Sequence, residues 1–270
     1  MKKRLTRFLP FLLAFTIALP SYSVFAEEEN QAKETQTNET NKTQADETTA
    51  NDTLSLAAET AVLIDAASGE ILYDKDADKK MYPASITKLM TILLALENGK
   101  LTDEITFSHD AVYNIEPGSA HIAILEGETL TLEQVLRAII LRSANEASNG
   151  VAEYVDGSVE AFAKHMTERA KELGCTNTNF VNANGLFDEN HYTTAHDMAL
   201  IARELLKHEE YRSMMSETDY EIPPTNLQTE TRYLHGQHQM LNPNSIYYYK
   251  DAIGGKTGYT AVSYTHLRAH

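Results

Sequence analysis

Residues 83–99 read PASITKLMTILLALENG, and this stretch decides the fold. After Pro83 the apolar positions Ile86, Leu89, Met90, Ile92, Leu93, Leu94 and Leu96 run too continuously for a surface helix, so the pattern predicts a helix buried nearly all round and stopped by Gly99. A helix apolar on every side needs partners on every side. Helical periodicity recurs over residues 132–141, 146–155, 159–173 and 195–207, with Ser158 and Thr194 as N-cap candidates. Towards the N-terminus, 61–65 (AVLID) and 70–73 (EILY) flank the turn Ala67-Ser68-Gly69, which is a β-hairpin signal. Short extended pieces are predicted at 104–107 and 121–125, separated by Pro117-Gly118 and Gly127, and strand character returns at 246–249 and 256–264. The expected class is α+β, a helical subdomain packed on an antiparallel sheet built from both chain ends.

Outside this region the composition changes. Lys2, Lys3, Arg4 and Arg7 precede an apolar run from Phe8 to Leu19, and Val24-Phe25-Ala26 offers small residues for cleavage, so residues 1–26 read as a secretory signal peptide. The run is short for a bilayer span and is interrupted by Pro10 and Pro20, which argues against a retained anchor. Residues 27–53 contain no Val, Ile, Leu, Phe or Tyr and form an acidic tether that cannot bury enough apolar surface to offset chain ordering. The folded region is expected over 54–262, with 263–270 as a non-native tail. The formal charge of −16, more negative still without the leader, argues against nucleic acid as a partner. One cysteine, Cys175, excludes an internal disulfide and reads as a small core or loop residue. The protein is therefore expected to be exported and extracytoplasmic.

Three short motifs stand in fixed order: Ser85-Ile86-Thr87-Lys88, Ser143-Ala144-Asn145 and Lys256-Thr257-Gly258. Each alone is weak, because such short patterns recur by chance. Together, in their structural contexts, they assemble one acylating site. A serine hydroxyl is a poor nucleophile at neutral pH and needs a base within hydrogen-bond reach. At the start of a helix, positions i and i+3 share a face, so Lys88 stands beside Ser85, and burial would lower its pKa until a neutral amine could take the proton. Ser143 and Asn145 lie in the break between two predicted helices. Ser143 there is expected to relay a proton between Lys88 and the leaving amine, and Asn145 to orient Lys88 and hold a substrate amide. Lys256 and Thr257, following Gly254-Gly255, are expected to face a substrate carboxylate. The glycines would let a substrate backbone approach a strand edge. Backbone N–H groups of Ser85 and Tyr259 would form an oxyanion hole beside Gly258.

With these motifs, the chain from Ala61 to Thr260 resembles the D-alanyl-D-alanine carboxypeptidases, low-molecular-mass penicillin-binding proteins. Pro83-Ala84-Ser85, Phe180-Val181-Asn182 with Gly185-Leu186, His191-Tyr192 and Lys256-Thr257-Gly258-Tyr259-Thr260 carry the resemblance. It implies a β-lactamase/transpeptidase-like fold with the cleft between helices and sheet. It also implies attack by Ser85 on the penultimate D-Ala carbonyl of a peptidoglycan stem pentapeptide, release of terminal D-Ala and hydrolysis of the acyl-enzyme. β-Lactams would acylate Ser85 as mimics, and no metal or organic cofactor is implied. Glu146 stands where many relatives carry Asp. The resemblance further implies additional strands, a small β-rich domain and an amphipathic membrane anchor after the third motif, so membrane attachment is expected only through such a segment. Without those strands, the 256–264 strand would lack a neighbour and this polypeptide would fold poorly.

Three rival readings are weaker. A class A β-lactamase shares the motif types but carries an E-x-x-x-N pattern that does not occur between Asn145 and Lys256. A noncatalytic muropeptide-binding protein would not need all three motifs intact. A zinc enzyme would need ligand spacing that His191, His196, His235 and His238 do not have.

Overall fold

The computed structural model describes residues 56–260, together with the backbone of one strand at Leu12–Thr16. That strand, β1, pairs antiparallel with β2 (Ala61–Asp65), which pairs antiparallel with β3 (Ile71–Lys75). The expected hairpin is present. Asp65 organises its turn by accepting hydrogen bonds from the Ala67 and Ser68 N–H groups and from Ser68 Oγ, while Gly69 takes φ 83°. The leader and tether at 1–53, apart from β1, and the tail at 263–270 lie outside the described residues.

A 3-10 turn, Ala84–Thr87, leads into α1 (Lys88–Asn98), in which every residue from Lys88 to Ala95 is buried, as the apolar run predicts. The chain then passes β4 (Glu104–Thr106), α2 (His109–Tyr113), β5 (Thr129–Thr131), α3 (Leu132–Arg142), α4 (Asn145–Asp156), α5 (Val159–Glu172), α6 (Ala195–Leu205) and α7 (Glu209–Met215). It continues through the ribbon β6 (Asp219–Ile222) and β7 (Arg232–His235). Helices α3, α4, α5 and α6 all pack on α1, so one rod lies at the centre of the main core. The N-cap assignments hold: Ser158 Oγ accepts the Ala161 N–H and Thr194 Oγ1 accepts the Asp197 N–H. Helix α6 also carries the hairpin. Val62 and Ile64 pack with Ala77 and Ala199, and Arg203 donates to the carbonyls of Ala66 and Ala67.

Two expected strands are absent, for local reasons. Residues 121–125 form no ladder, because Ala123 takes φ 58° and the N–H groups of Ile122 and Leu125 go to the carboxylates of Glu146 and Glu128. Residues 246–249 form no strand. Asn242 and Ser245 collect the nearby N–H groups of Asn244, Tyr247 and Tyr248, and the Tyr247, Tyr248 and Tyr249 side chains are left exposed. Residues 256–260 carry no regular secondary structure, and 261–264 lie outside the described residues. Within the described residues, therefore, the three-stranded sheet takes its strands from the N-terminal side alone. The α+β class itself is as expected.

A buried ion pair anchors the β6–β7 ribbon to the loop before β5. Glu128, which has no exposed surface, accepts from Arg232 Nη1 and Nη2 at 2.6 and 2.7 Å, from Thr225 Oγ1 at 2.7 Å and from the Leu125 N–H at 2.9 Å. Burial opposes the carboxylate's charge, yet the Arg232, Leu125 and Thr225 hydrogen bonds outweigh it and hold the Glu128 pKa below its ordinary value. Removing one partner strands a charge in the interior, so Arg232→Met should cost about 3–5 kcal/mol, read by urea unfolding. A cost near zero would show that the ribbon is anchored elsewhere.

Candidate active site

The entry to α1 is built to present one side chain. From Pro83 to Ala95 every residue is buried except Ser85, which is half-buried. Ala84 takes φ 50°, a left-handed conformation that costs an alanine roughly 1–2 kcal/mol and marks a strained turn. Neither the 3-10 turn nor α1 has a side-chain N-cap. The turn is instead held by the loop at 181–191, where a Cβ on Gly185 (φ 82°) would lie 1.9 Å from the Ala84 carbonyl oxygen. Only glycine tolerates both that backbone angle and that approach.

Lys88 has no exposed surface, and its Nζ meets three oxygens: Ser85 Oγ at 3.0 Å, Asn145 Oδ1 at 2.7 Å and the Asn184 carbonyl at 2.5 Å. Burial pulls its pKa well below the ordinary lysine value, the nearby Lys256 charge adds to the depression, and Glu146 opposes it. These partners suit a neutral amine. Two are carbonyl oxygens that accept its two N–H groups, which leaves the nitrogen lone pair for the one partner that can also donate, the Ser85 hydroxyl.

The second motif sits at the junction of α3 and α4. Ser143 closes α3 in the left-handed conformation, φ 58°, and Asn145 opens α4 with its N–H donated to the Ala120 carbonyl. This break turns the two side chains to opposite partners. Asn145 Oδ1 accepts from Lys88, whereas Ser143 Oγ accepts from Lys256 Nζ at 3.0 Å. The direct partner of Ser143 is thus Lys256, and among the described residues it has no hydrogen bond to Lys88. Lys256 Nζ also donates to the Thr257 carbonyl at 2.7 Å, and burial of its ammonium pulls the pKa down to about 7.

Thr257, Gly258 and Tyr259 are exposed beside this pair. Gly258 lies against the nucleophile turn, since a Cβ there would come 3.0 Å from the Pro83 carbonyl oxygen and 3.2 Å from the Ile86 nitrogen. The third motif is thereby docked on the first. Gly254 and Gly255 have a different task from the one expected of them. A Cβ on Gly254 would meet the Met215 backbone at 2.6 Å, and one on Gly255 would meet His238 Nε2 at 2.2 Å, so these glycines admit the protein's own groups.

Several residues of the site carry no motif. Asn182 staples the Gly185 turn by accepting the Gly185 N–H and donating to the Leu186 carbonyl. Asn184 joins α4 by donating to Asn149 Oδ1, while its own carbonyl holds Lys88. Glu146 is buried and accepts the Ile122 N–H at 2.7 Å, and burial raises its pKa. The turn-forming run Val181-Asn182-Ala183-Asn184-Gly185 was the available sequence signal, but nothing in it announces a lysine ligand. As for the histidines, His196 and His235 meet Asp78 and Asp219, His191 meets Thr87, and His238 lies beside Gly255.

Arrangement and sequence agree with known proteins. The chain is 38% identical over 213 residues to the D-alanyl-D-alanine carboxypeptidase DacF of Bacillus subtilis, covering 77% of this chain and 52% of that protein. It is 30% identical over 270 residues to the D-alanyl-D-alanine carboxypeptidase DacA of Haemophilus influenzae, covering 97% of this chain and 60% of that protein. It therefore spans little more than half the length of these curated relatives. The solved D-alanyl-D-alanine carboxypeptidase of Mycobacterium tuberculosis superposes with a TM-score of 0.67 at 26% identity, covering 75% of this chain and 73% of the other. Residues 43–269 match the Peptidase_S11 family, described as D-alanyl-D-alanine carboxypeptidase, and the chain belongs to that family.

Proposed function

We propose that this chain is the catalytic region of a serine D-alanyl-D-alanine carboxypeptidase that trims the terminal D-Ala from peptidoglycan stem pentapeptides. The observation that carries this is Lys88 Nζ, buried and 3.0 Å from Ser85 Oγ, with its other two partners both carbonyl oxygens. The neutral Lys88 amine accepts the Ser85 proton as Oγ attacks the penultimate D-Ala carbonyl, forming the Oγ–C bond of a tetrahedral intermediate. The Ser85 and Tyr259 N–H groups receive the developing oxyanion, each donor contributing about 3 kcal/mol. The C–N bond then breaks. The departing D-Ala amine takes a proton from Lys88 through Ser143, whose Oγ would have to exchange its Lys256 contact for this relay. Water next adds to the ester, passes a proton back through Lys88 to Oγ, and frees the shortened peptide.

Lys256 and Thr257 bind the terminal carboxylate, and the Asn145 amide nitrogen, which has no hydrogen-bond partner among the described residues, takes a substrate carbonyl. A β-lactam presents the same amide and carboxylate, so it acylates Ser85 and is retained. Since the substrate lies outside the cytoplasm, the basic and apolar stretch at residues 1–26 acts as an export signal, its Leu12–Thr16 segment pairing with β2 only while the leader is still attached, and 27–53 acts as a tether. No described helix is long and apolar enough to cross a membrane.

Intact-mass spectrometry of the full chain after benzylpenicillin treatment should show one penicilloyl adduct, absent from Ser85→Ala. A synthetic pentapeptide ending in D-Ala-D-Ala should release one D-Ala per peptide. An adduct on the Ser85→Ala chain would remove Ser85 from the role.

The two lysines set opposite limbs of the pH profile. Lys88 must lose its proton to act, so acylation rises with pH through its depressed pKa. Lys256 must keep its proton to attract a carboxylate, and it loses that proton as pH rises through about 7. The second-order acylation rate constant should therefore be bell-shaped, and Lys256→Arg should abolish the alkaline fall. An unchanged alkaline limb in that variant would exclude Lys256 as its source.

A further inference from the structure

The strained turn that presents Ser85 is clamped by one loop. Three polar side chains along the buried face of the turn and α1 all reach residues 181–191: Thr87 Oγ1 lies 2.7 Å from His191 Nε2, Lys88 Nζ 2.5 Å from the Asn184 carbonyl, and Thr91 Oγ1 2.6 Å from the Ala183 carbonyl. Two of these contacts end on backbone oxygens. The His191 contact is the only one of the three made by a side chain of the loop.

His191 is 2% exposed, and its partners fix its tautomer. The Val181 N–H donates to Nδ1 at 3.1 Å, so Nδ1 carries the lone pair and the ring proton resides on Nε2. Nε2–H is then the donor and Thr87 Oγ1 the acceptor. A protonated ring could not keep this arrangement, because Nδ1–H would face the Val181 N–H. Asp188 favours protonation and Lys88 opposes it, while burial, the largest influence, lowers the pKa to about 4. The imidazole thus stays neutral near neutral pH. Its ring also meets Phe180 edge to face at 5.5 Å, which restricts its rotation.

We infer that His191 is a positioning residue for acylation: its Nε2–H, donated to Thr87, holds the uncapped and strained 84–87 turn so that Ser85 Oγ faces Lys88 Nζ. This inference rests on the reading of Ser85 as nucleophile and Lys88 as base. Thr87 precedes Lys88 directly and lies two residues beyond Ser85, so its rotation passes to Lys88 through one peptide unit and to Ser85 through two. Released from His191, the turn can relieve the Ala84 strain and carry Ser85 out of line. A displacement of about 1 Å in reacting groups can cost on the order of a hundredfold in rate.

The test is rapid-quench mass spectrometry of benzylpenicillin acylation on the full chain, resolving the noncovalent dissociation constant from the acylation rate constant. Wild type is compared with His191→Phe, Thr87→Val, the double variant and His191→Gln, each checked for native circular dichroism and thermal unfolding. His191→Phe and Thr87→Val should each slow acylation at least about tenfold with the dissociation constant unchanged, and the double variant should be no slower than either. His191→Gln, whose amide offers both a donor and an acceptor, should recover most of the rate. A His191→Phe chain that unfolds at lower temperature while its folded fraction acylates at the wild-type rate would overturn the inference and leave Ser85 in place. Absence of a wild-type adduct, or its survival in Ser85→Ala, would overturn the underlying reading as well.

Discussion

Everything in this site depends on keeping a lysine amine dry. Lys88 begins the most buried helix of the molecule, and the helices around α1 that remove water from its apolar face also remove it from Nζ. A fully buried ammonium is strongly disfavoured, so the same packing that stabilises the core also makes Lys88 a base. Core and chemistry are one construction here. Two fixed carbonyl oxygens then decide which way the lone pair points, and the Ser85 hydroxyl lies in that direction.

This arrangement costs stability, and the sign can be stated. A lysine whose pKa is depressed in the folded state binds fewer protons there than in the unfolded chain. Stability then rises with pH between the folded value and the ordinary one. For Lys256 that window runs from about 7 up to its ordinary value of 10.5, and for Lys88 it opens well below the ordinary lysine value for the same reason, burial. Ala84 and Ser143 add backbone strain on either side of the cleft. The surrounding helices and the 181–191 loop must over-determine these conformations for them to persist.

Much of this was legible in the sequence. The continuous apolar run after Pro83 required a central helix, and the spacing of Ser85 and Lys88 required them to share a face. Ser158 and Thr194 marked helix starts through their side-chain oxygens. What stayed hidden was mostly made by contacts distant in sequence. The Asn184 carbonyl is a backbone group with no residue signature, and the Thr87–His191 bond joins positions 104 residues apart. The short elements β5, α7, β6 and β7 carry too few residues for a periodicity to stand out. Residues 246–249 looked like a strand because they are β-branched and aromatic. The Asn242 and Ser245 turn bonds take up nearby backbone N–H groups instead. Gly254 and Gly255 suggest room for a substrate backbone, but the space beside them is filled by Met215 and His238, contacts that sequence spacing does not reveal.

The proposed chemistry requires Lys88 to be a neutral amine when the protein is folded at neutral pH. Its most direct test is nuclear magnetic resonance of the folded chain with lysines labelled at 13Cε and 15Nζ, the Lys88 signals being assigned through a Lys88→Arg variant. Lys88 should show amine shifts at neutral pH and gain its proton only on acidification. Ammonium shifts for Lys88 persisting above neutral pH would contradict it, and another group would have to accept the Ser85 proton.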